Sequence, residues 1–164
     1  MSQEVVMLRT ILLLAFSYGL IVSAAHACDT PVVYDEVALT GKTILDPETK
    51  EYKISIDPDT PALIGEEGMR FLLAHECAHI ELEHIPQMDE ASKHMSPIQL
   101  QKQMFEIEME ADCHAVKKLV ANGDREAIRA GLELISVSQA TTTPLAGFSS
   151  FQRIAKIKKC EAAT

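Results

Sequence analysis

The stretch "RFLLAHECAHIELEH", residues 70–84, sets three histidines and three glutamates among side chains that otherwise read as a buried helix. Met69, Leu72, Leu73, Cys77 and Ile80 recur at spacings of three and four, or close to them, which is the period of a helix with one apolar face. The pattern starts near Gly65, and Pro86 marks its stop. Charged and metal-affine side chains are costly in such a helix unless something pairs with them. His75-Glu76-x-x-His79 supplies a reason, because it is an H-E-x-x-H motif. Helix positions four apart are neighbours, with Cβ atoms about 5–6 Å apart, so His75 and His79 can share one ion. Glu76, one residue on, can reach a water beside that ion without binding the ion itself. Two histidines and a carboxylate, with one position left open, form a catalytic Zn2+ set. Zinc lowers the pKa of its water from about 15.7 toward 7, and a nearby carboxylate takes the proton. Cys77 lies about 200° around the helix from His75 and is no ligand. His84, five residues after His79, would point about 140° away from it on a continuous helix and reads as structural.

The motif requires an acidic partner on another element. Within "FEIEMEADCHAVKKLV", residues 105–120, Glu108 and Asp112 are the only E-x-x-x-D pair in the chain. Both lie on one face of a helix. Glu108 would complete a His-His-Glu set, with Glu106 and Glu110 as competitors for that place. Asp112, one turn on, would accept a hydrogen bond from the free nitrogen of a ligand histidine and fix its orientation. Alone, the acidic run reads as a solvated face; beside the histidine motif it reads as the other half of a metal site.

Residues 31–61 carry the β part. Val32, Val33, Val37 and Leu39 fit one strand, and Tyr52, Ile54 and Ile56 alternate with polar residues in another. Turns are signalled at Thr40-Gly41 and Asp46-Pro47, giving two or three short antiparallel strands. Residues 86–96 read as a loop. Ser96 is an N-cap with Pro97 in the first helical position, and that helix closes at Asn122-Gly123. Asp124 caps a helix over about 125–138, residues 141–147 form a loop, and "SSFQRIAKIKKC" starts the last helix. The expected fold class is α+β, mostly helical, with a small antiparallel sheet near the N-terminus.

At 164 residues the chain is expected to form one domain, 28–164, after a 27-residue signal peptide. Arg9, the apolar run "ILLLAFSYGLIVSA" and Ala25-His26-Ala27 are its positive, apolar and cleavage regions. An uncleaved anchor, or lipidation of Cys28, are the alternatives. Export would bring the chain to the periplasm or outside the cell, with no stable membrane span after cleavage. There Cys28, Cys77, Cys113 and Cys160 can form disulfides in any of three pairings, or Cys77 and Cys113 can stay buried thiols. A net charge of −9 argues against nucleic acid as a partner. The basic run at Lys156, Lys158 and Lys159 is too small to reverse that and reads as the cationic end of a helix.

"LLAHECAHIELEH" followed by "EIEMEAD" resembles the HExxH…ExxxD signature of gluzincin metallopeptidases, and more narrowly the M48 peptidases. His84, the "EAD" ending at Asp112 and "FQRIAKI" after "TP" match that narrower family, so the resemblance covers roughly residues 52–158. It implies a zincin-like domain and a Zn2+-dependent endopeptidase acting on unfolded or exported polypeptides. By position, His75, His79 and Glu108 would be the zinc ligands, Glu76 the general base and Asp112 the support of a ligand histidine. Arg153 would be an auxiliary residue, and strand 52–57 would be the edge strand that holds an extended peptide. One departure stands out: Thr143 precedes Pro144 where that family has a histidine. A zinc-binding, catalytically weak chaperone- or adaptor-like module of the same fold is therefore the alternative. His94 and His114 would be substitutes for the missing histidine, although each reads more simply as a surface or core residue.

Overall fold

The computed structural model describes residues 28–36, 40–138 and 150–164. Among them, three strands precede five helices: β1 (Val32–Tyr34), β2 (Gly41–Leu45), β3 (Tyr52–Ile56), α1 (Thr60–Glu81), α2 (His84–Ser92), α3 (Pro97–Ala121), α4 (Arg125–Ser138) and α5 (Ser150–Ala162). The fold is α+β and mostly helical, as the sequence predicts. The segment read as a signal peptide, Val37, Leu39 and the 141–147 loop with Thr143 lie outside the described residues. No helix among the described residues is long and apolar enough to cross a membrane.

The sheet corrects two expectations. Its order is β1-β3-β2, with β1 parallel to β3 and β2 antiparallel to β3, so it is mixed and not antiparallel. The strand at 52–56 is therefore central, and an edge belongs to β2. Ile54, Ser55 and Ile56 are all buried, as suits a strand paired along both edges and covered on both faces. The β2–β3 hairpin is held by Asp46, whose Oδ1 accepts hydrogen bonds from the backbone of Glu48 and Thr49 at 2.9 and 2.8 Å.

Helix α1 runs between two cores. One side packs Leu72 and Cys77 onto Ile54 and Ile56 of the sheet. The other packs Phe71 and Ala74 against Ala115, Val116, Leu119, Ile128, Ile135 and Ile157 from α3, α4 and α5. Ala74 and Ala78 on α1, and Ala111 and Ala115 on α3, are all buried. Small side chains there let two helices approach closely, which sets the distance across the site. Gly131 does the same for α4, because a Cβ at that position would lie 2.3 Å from the Phe71 ring.

The helix is broken at Gly65, with φ 69°, where the sequence pattern begins. It ends at Glu81, before the predicted stop. Glu83 turns the chain in the left-handed region, φ 55°, and α2 starts at once with His84. Pro86 thus sits in the first turn of a helix, not at the end of one, and residues 86–92 are helical where the sequence predicts a loop. Proline is tolerated there because first-turn amides have no partner within the helix. The α3 start is a full capping box: Ser96 accepts from the Gln99 amide, and Gln99 accepts from the Ser96 amide. Asp124 caps α4 through the Ala127 amide and also receives Arg70 of α1 at 2.7 Å.

The cysteines pair as Cys28–Cys77 and Cys113–Cys160, and no thiol is free. The first ties the segment before β1 to α1, and the second ties α3 to α5.

Candidate metal centre

His75, Glu76 and His79 are all buried on α1; the two histidines face α3, and Glu76 reaches β2. The Nε2 atoms of His75 and His79 are 3.1 Å apart. Glu108 of α3 brings Oε2 to 3.3 Å from the first and Oε1 to 3.5 Å from the second. Donors about 2.0–2.1 Å from a tetrahedral zinc ion are separated by about 3.3 Å, the edge of that tetrahedron. The two histidine nitrogens are spaced close to such an edge, and Glu108 offers a different oxygen to each. One ligand atom from each of the three residues lies within 4.8 Å of the other two, so that among the described residues they form a group that could hold a metal ion. Glu106 instead pairs with Lys102, and Glu110 faces His84, so neither displaces Glu108.

Charge around the group is arranged in layers. Arg153 of α5 donates two hydrogen bonds to Asp112, Nε to Oδ2 at 2.7 Å and Nη2 to Oδ1 at 2.8 Å. Its Nη1 stands 3.4 Å from Glu108. Asp112, fully buried, lies with Oδ1 3.0 Å from His75 Nδ1, in contact but off the line of a good hydrogen bond. Burial pushes Asp112 up, but Arg153 and His75 outweigh it and hold the carboxyl below its usual range. Burial works against a charged His75, yet Asp112 and Glu108 overcome it and raise the group to about 10. Burial and the charge of His75 lower His79 to about 4. Burial raises Glu76, which increases its appetite for a proton.

Two neighbours were not legible as parts of the site. Thr43 of β2 donates its hydroxyl to Glu76 Oε2 at 2.8 Å and approaches the Glu76 carbonyl at 2.9 Å. A lone threonine in a strand carries no motif that would reveal this. His84 was expected to point away, but the break after Glu81 folds it back, so that its Nδ1 lies 3.0 Å from His79 Nδ1. His114 binds Glu81 at 2.7 Å and exposed His94 binds Glu90 at 3.1 Å, so neither joins the group.

A cleft of about 440 Å3 opens on these residues. Thr40 to Thr43 form one wall, Phe71, Leu72, Leu134 and Ile135 an apolar end, and Ile85, Met88 and Met104 another. Buried titratable groups converging in a partly apolar cleft are the usual signature of an active site.

Compared with known families, residues 46–158 match the model of Peptidase U49. The match runs from the β2–β3 turn into α5 and so includes both halves of the site. No curated protein and no solved structure matches the chain.

Proposed function

The chain belongs to the Peptidase U49 family, and is thus a peptidase; from that premise we propose that it is a zinc-dependent endopeptidase with His75, His79 and Glu108 as ligands. The observation that carries the reading is the convergence of these side chains, with the two Nε2 atoms 3.1 Å apart and the Glu108 oxygens Oε2 and Oε1 at 3.3 and 3.5 Å from His75 and His79 respectively. A bound zinc ion would polarise the scissile carbonyl and make a water acidic enough to be deprotonated near neutral pH.

Glu76 would accept a proton from the attacking water at its carboxylate and later deliver it to the leaving amine. Its burial suits the first task, and the cleft wall gives it access to substrate. With Nε2 as its ligand atom, His79 carries hydrogen on Nδ1 and donates it to His84. Asp112, held by Arg153, stands 3.0 Å from Nδ1 of His75 and supports that ring as a charge partner. Such supporting contacts fix ring orientation and keep the imidazoles basic. The free edge of β2, and not strand 52–56, would pair with an extended substrate backbone, a mode that reads shape more than sequence. The gluzincin resemblance of both motifs supports the same mechanism. The substrate is an unfolded or exported polypeptide, and the acidic chain offers nothing to nucleic acid.

We place this activity outside the cytoplasm, in the periplasm or secreted. Two disulfides and the apolar N-terminal segment support that location. With Cys28 bonded to Cys77, its sulfur is not available for a lipid, which disfavours the lipidated alternative.

The test is metal analysis and casein cleavage on the chain from Cys28, with Glu76→Gln alongside. The parent should bind one zinc and cleave, whereas the variant should bind one zinc and fail to cleave. A Glu76→Gln protein as fast as the parent refutes the mechanism. Zinc bound at one equivalent with no cleavage by the parent points to the chaperone-like alternative.

A further inference from the structure

We infer that Thr43 is a positioning residue for the Glu76 carboxylate, an inference that rests on Glu76 being the general base. Its hydroxyl donates a hydrogen bond to that carboxylate, at 2.8 Å to Oε2, and the Thr43 backbone amide acts on the same carboxylate. The hydroxyl has a single proton and two nearby acceptors. The Glu76 carbonyl, at 2.9 Å, already receives an amide within α1, and an ionised carboxylate is the stronger acceptor. The proton therefore goes to Oε2. That fixes the plane of the carboxylate and leaves Oε1 for the attacking water.

The placement is built into the packing of β2 on α1. Gly41 and Thr43 lie two apart on the strand, and Leu72 and Glu76 lie four apart on the helix. Two strand residues advance about 6.6 Å and four helix residues about 6 Å, so the pairs stay in step. Gly41 permits the approach, because a Cβ there would meet Leu72 Cδ1 at 3.0 Å. Thr43 is 3% exposed, so no water replaces its hydroxyl without rearrangement. Because β2 is also an edge of the sheet among the described residues, one strand would both offer backbone to a substrate and orient the base.

The experiment compares the parent with Thr43→Val, Thr43→Ser and Glu76→Gln, each zinc-loaded, on a quenched unfolded peptide. Valine keeps the branched shape and strand preference of threonine but removes the donor. Misorienting a base by less than an ångström costs roughly 10- to 100-fold in kcat. Thr43→Val should lose that much kcat with KM within about twofold, one zinc per chain and a melting temperature lowered by no more than about 5 °C. Thr43→Ser should recover to within about threefold of the parent, since it restores the hydroxyl. Combined with Glu76→Gln, the valine should cost nothing further, because a residue acting only through Glu76 has nothing left to position. If valine does not fold, Thr43→Ala repeats the comparison. Parent-like kcat in Thr43→Val, or serine as poor as valine, overturns the inference. If Glu76→Gln itself cleaves normally, the failure lies with the base assignment.

Discussion

Arg153→Met should destabilise the metal-free protein by about 3 kcal/mol. The guanidinium makes a two-pronged contact at 2.7 and 2.8 Å with a carboxylate that is 0% exposed. Removing one partner of a buried ion pair strands the other and costs about 3–5 kcal/mol. The lower end applies, because His75 remains 3.0 Å from Asp112 and offsets part of the loss. At about 2–4 °C per kcal/mol for a domain of this size, the melting temperature should drop by about 6–12 °C. The assay is thermal unfolding by circular dichroism in EDTA, at pH 3, 5 and 7. In the parent, the lowered Asp112 contributes stability that is present above its unfolded pKa and lost as pH falls through its folded pKa. In the variant, burial is no longer opposed by the guanidinium, so Asp112 is raised and stability falls as pH climbs past the carboxylate range. The gap between the two proteins must therefore widen from pH 3 to pH 7. Arg153→Lys restores charge without the fork and should lie between them. A drop below about 2 °C at pH 7, or a gap independent of pH, would refute the view that Arg153 anchors Asp112.

Zinc uptake at pH 8 should release about one proton per ion, because His75 without metal is held up to about 10 and must lose its proton to bind. Calorimetry in two buffers of different ionisation enthalpy measures this, and zero released protons would contradict the charge arrangement. The same raised group contributes stability to the metal-free fold that is complete below about pH 6.5 and lost as pH rises through about 10. The metal-free protein should thus melt lower at pH 10 than at pH 7. Peptide mapping without reductant should find Cys28–Cys77 and Cys113–Cys160. Their sequence separations of 49 and 47 correspond to about 4 kcal/mol each of loop-closure stabilisation, so full reduction should lower the melting temperature by more than about 10 °C. Other pairings, or a reduced protein that melts within about 3 °C of the oxidised one, would count against the topology.

Much of the site was legible because it is local. His75, Glu76 and His79 lie within one turn of one helix, and Glu108 and Asp112 within one turn of another. Helical geometry alone puts each set on a single face. The capping box at Ser96, the stop at Gly123 and the cap at Asp124 are also short-range signals, and they appear where the sequence puts them. Pro86 misled because proline marks both the end of a helix and its first turn. The residues on either side of it do not say which.

Partners far apart in sequence had to wait for the tertiary fold. The motif says that an acidic ligand is needed, but the packing of α1 on α3 shows that Glu108, not Glu106 or Glu110, faces the histidines. The sheet order makes β2 the edge strand and brings Thr43, 33 residues away in sequence, onto Glu76. The left-handed turn at Glu83 folds His84 back onto His79. Of three cysteine pairings, helix packing selects one. Periodicity and caps are written in neighbouring residues, and so the sequence by itself determined four of the five helices and the residue types gathered on their faces. Register between elements depends on how close two backbones can come, which is a property of facing side chains and not of either segment alone. Only the tertiary structure decided which residues hold that chemistry in place.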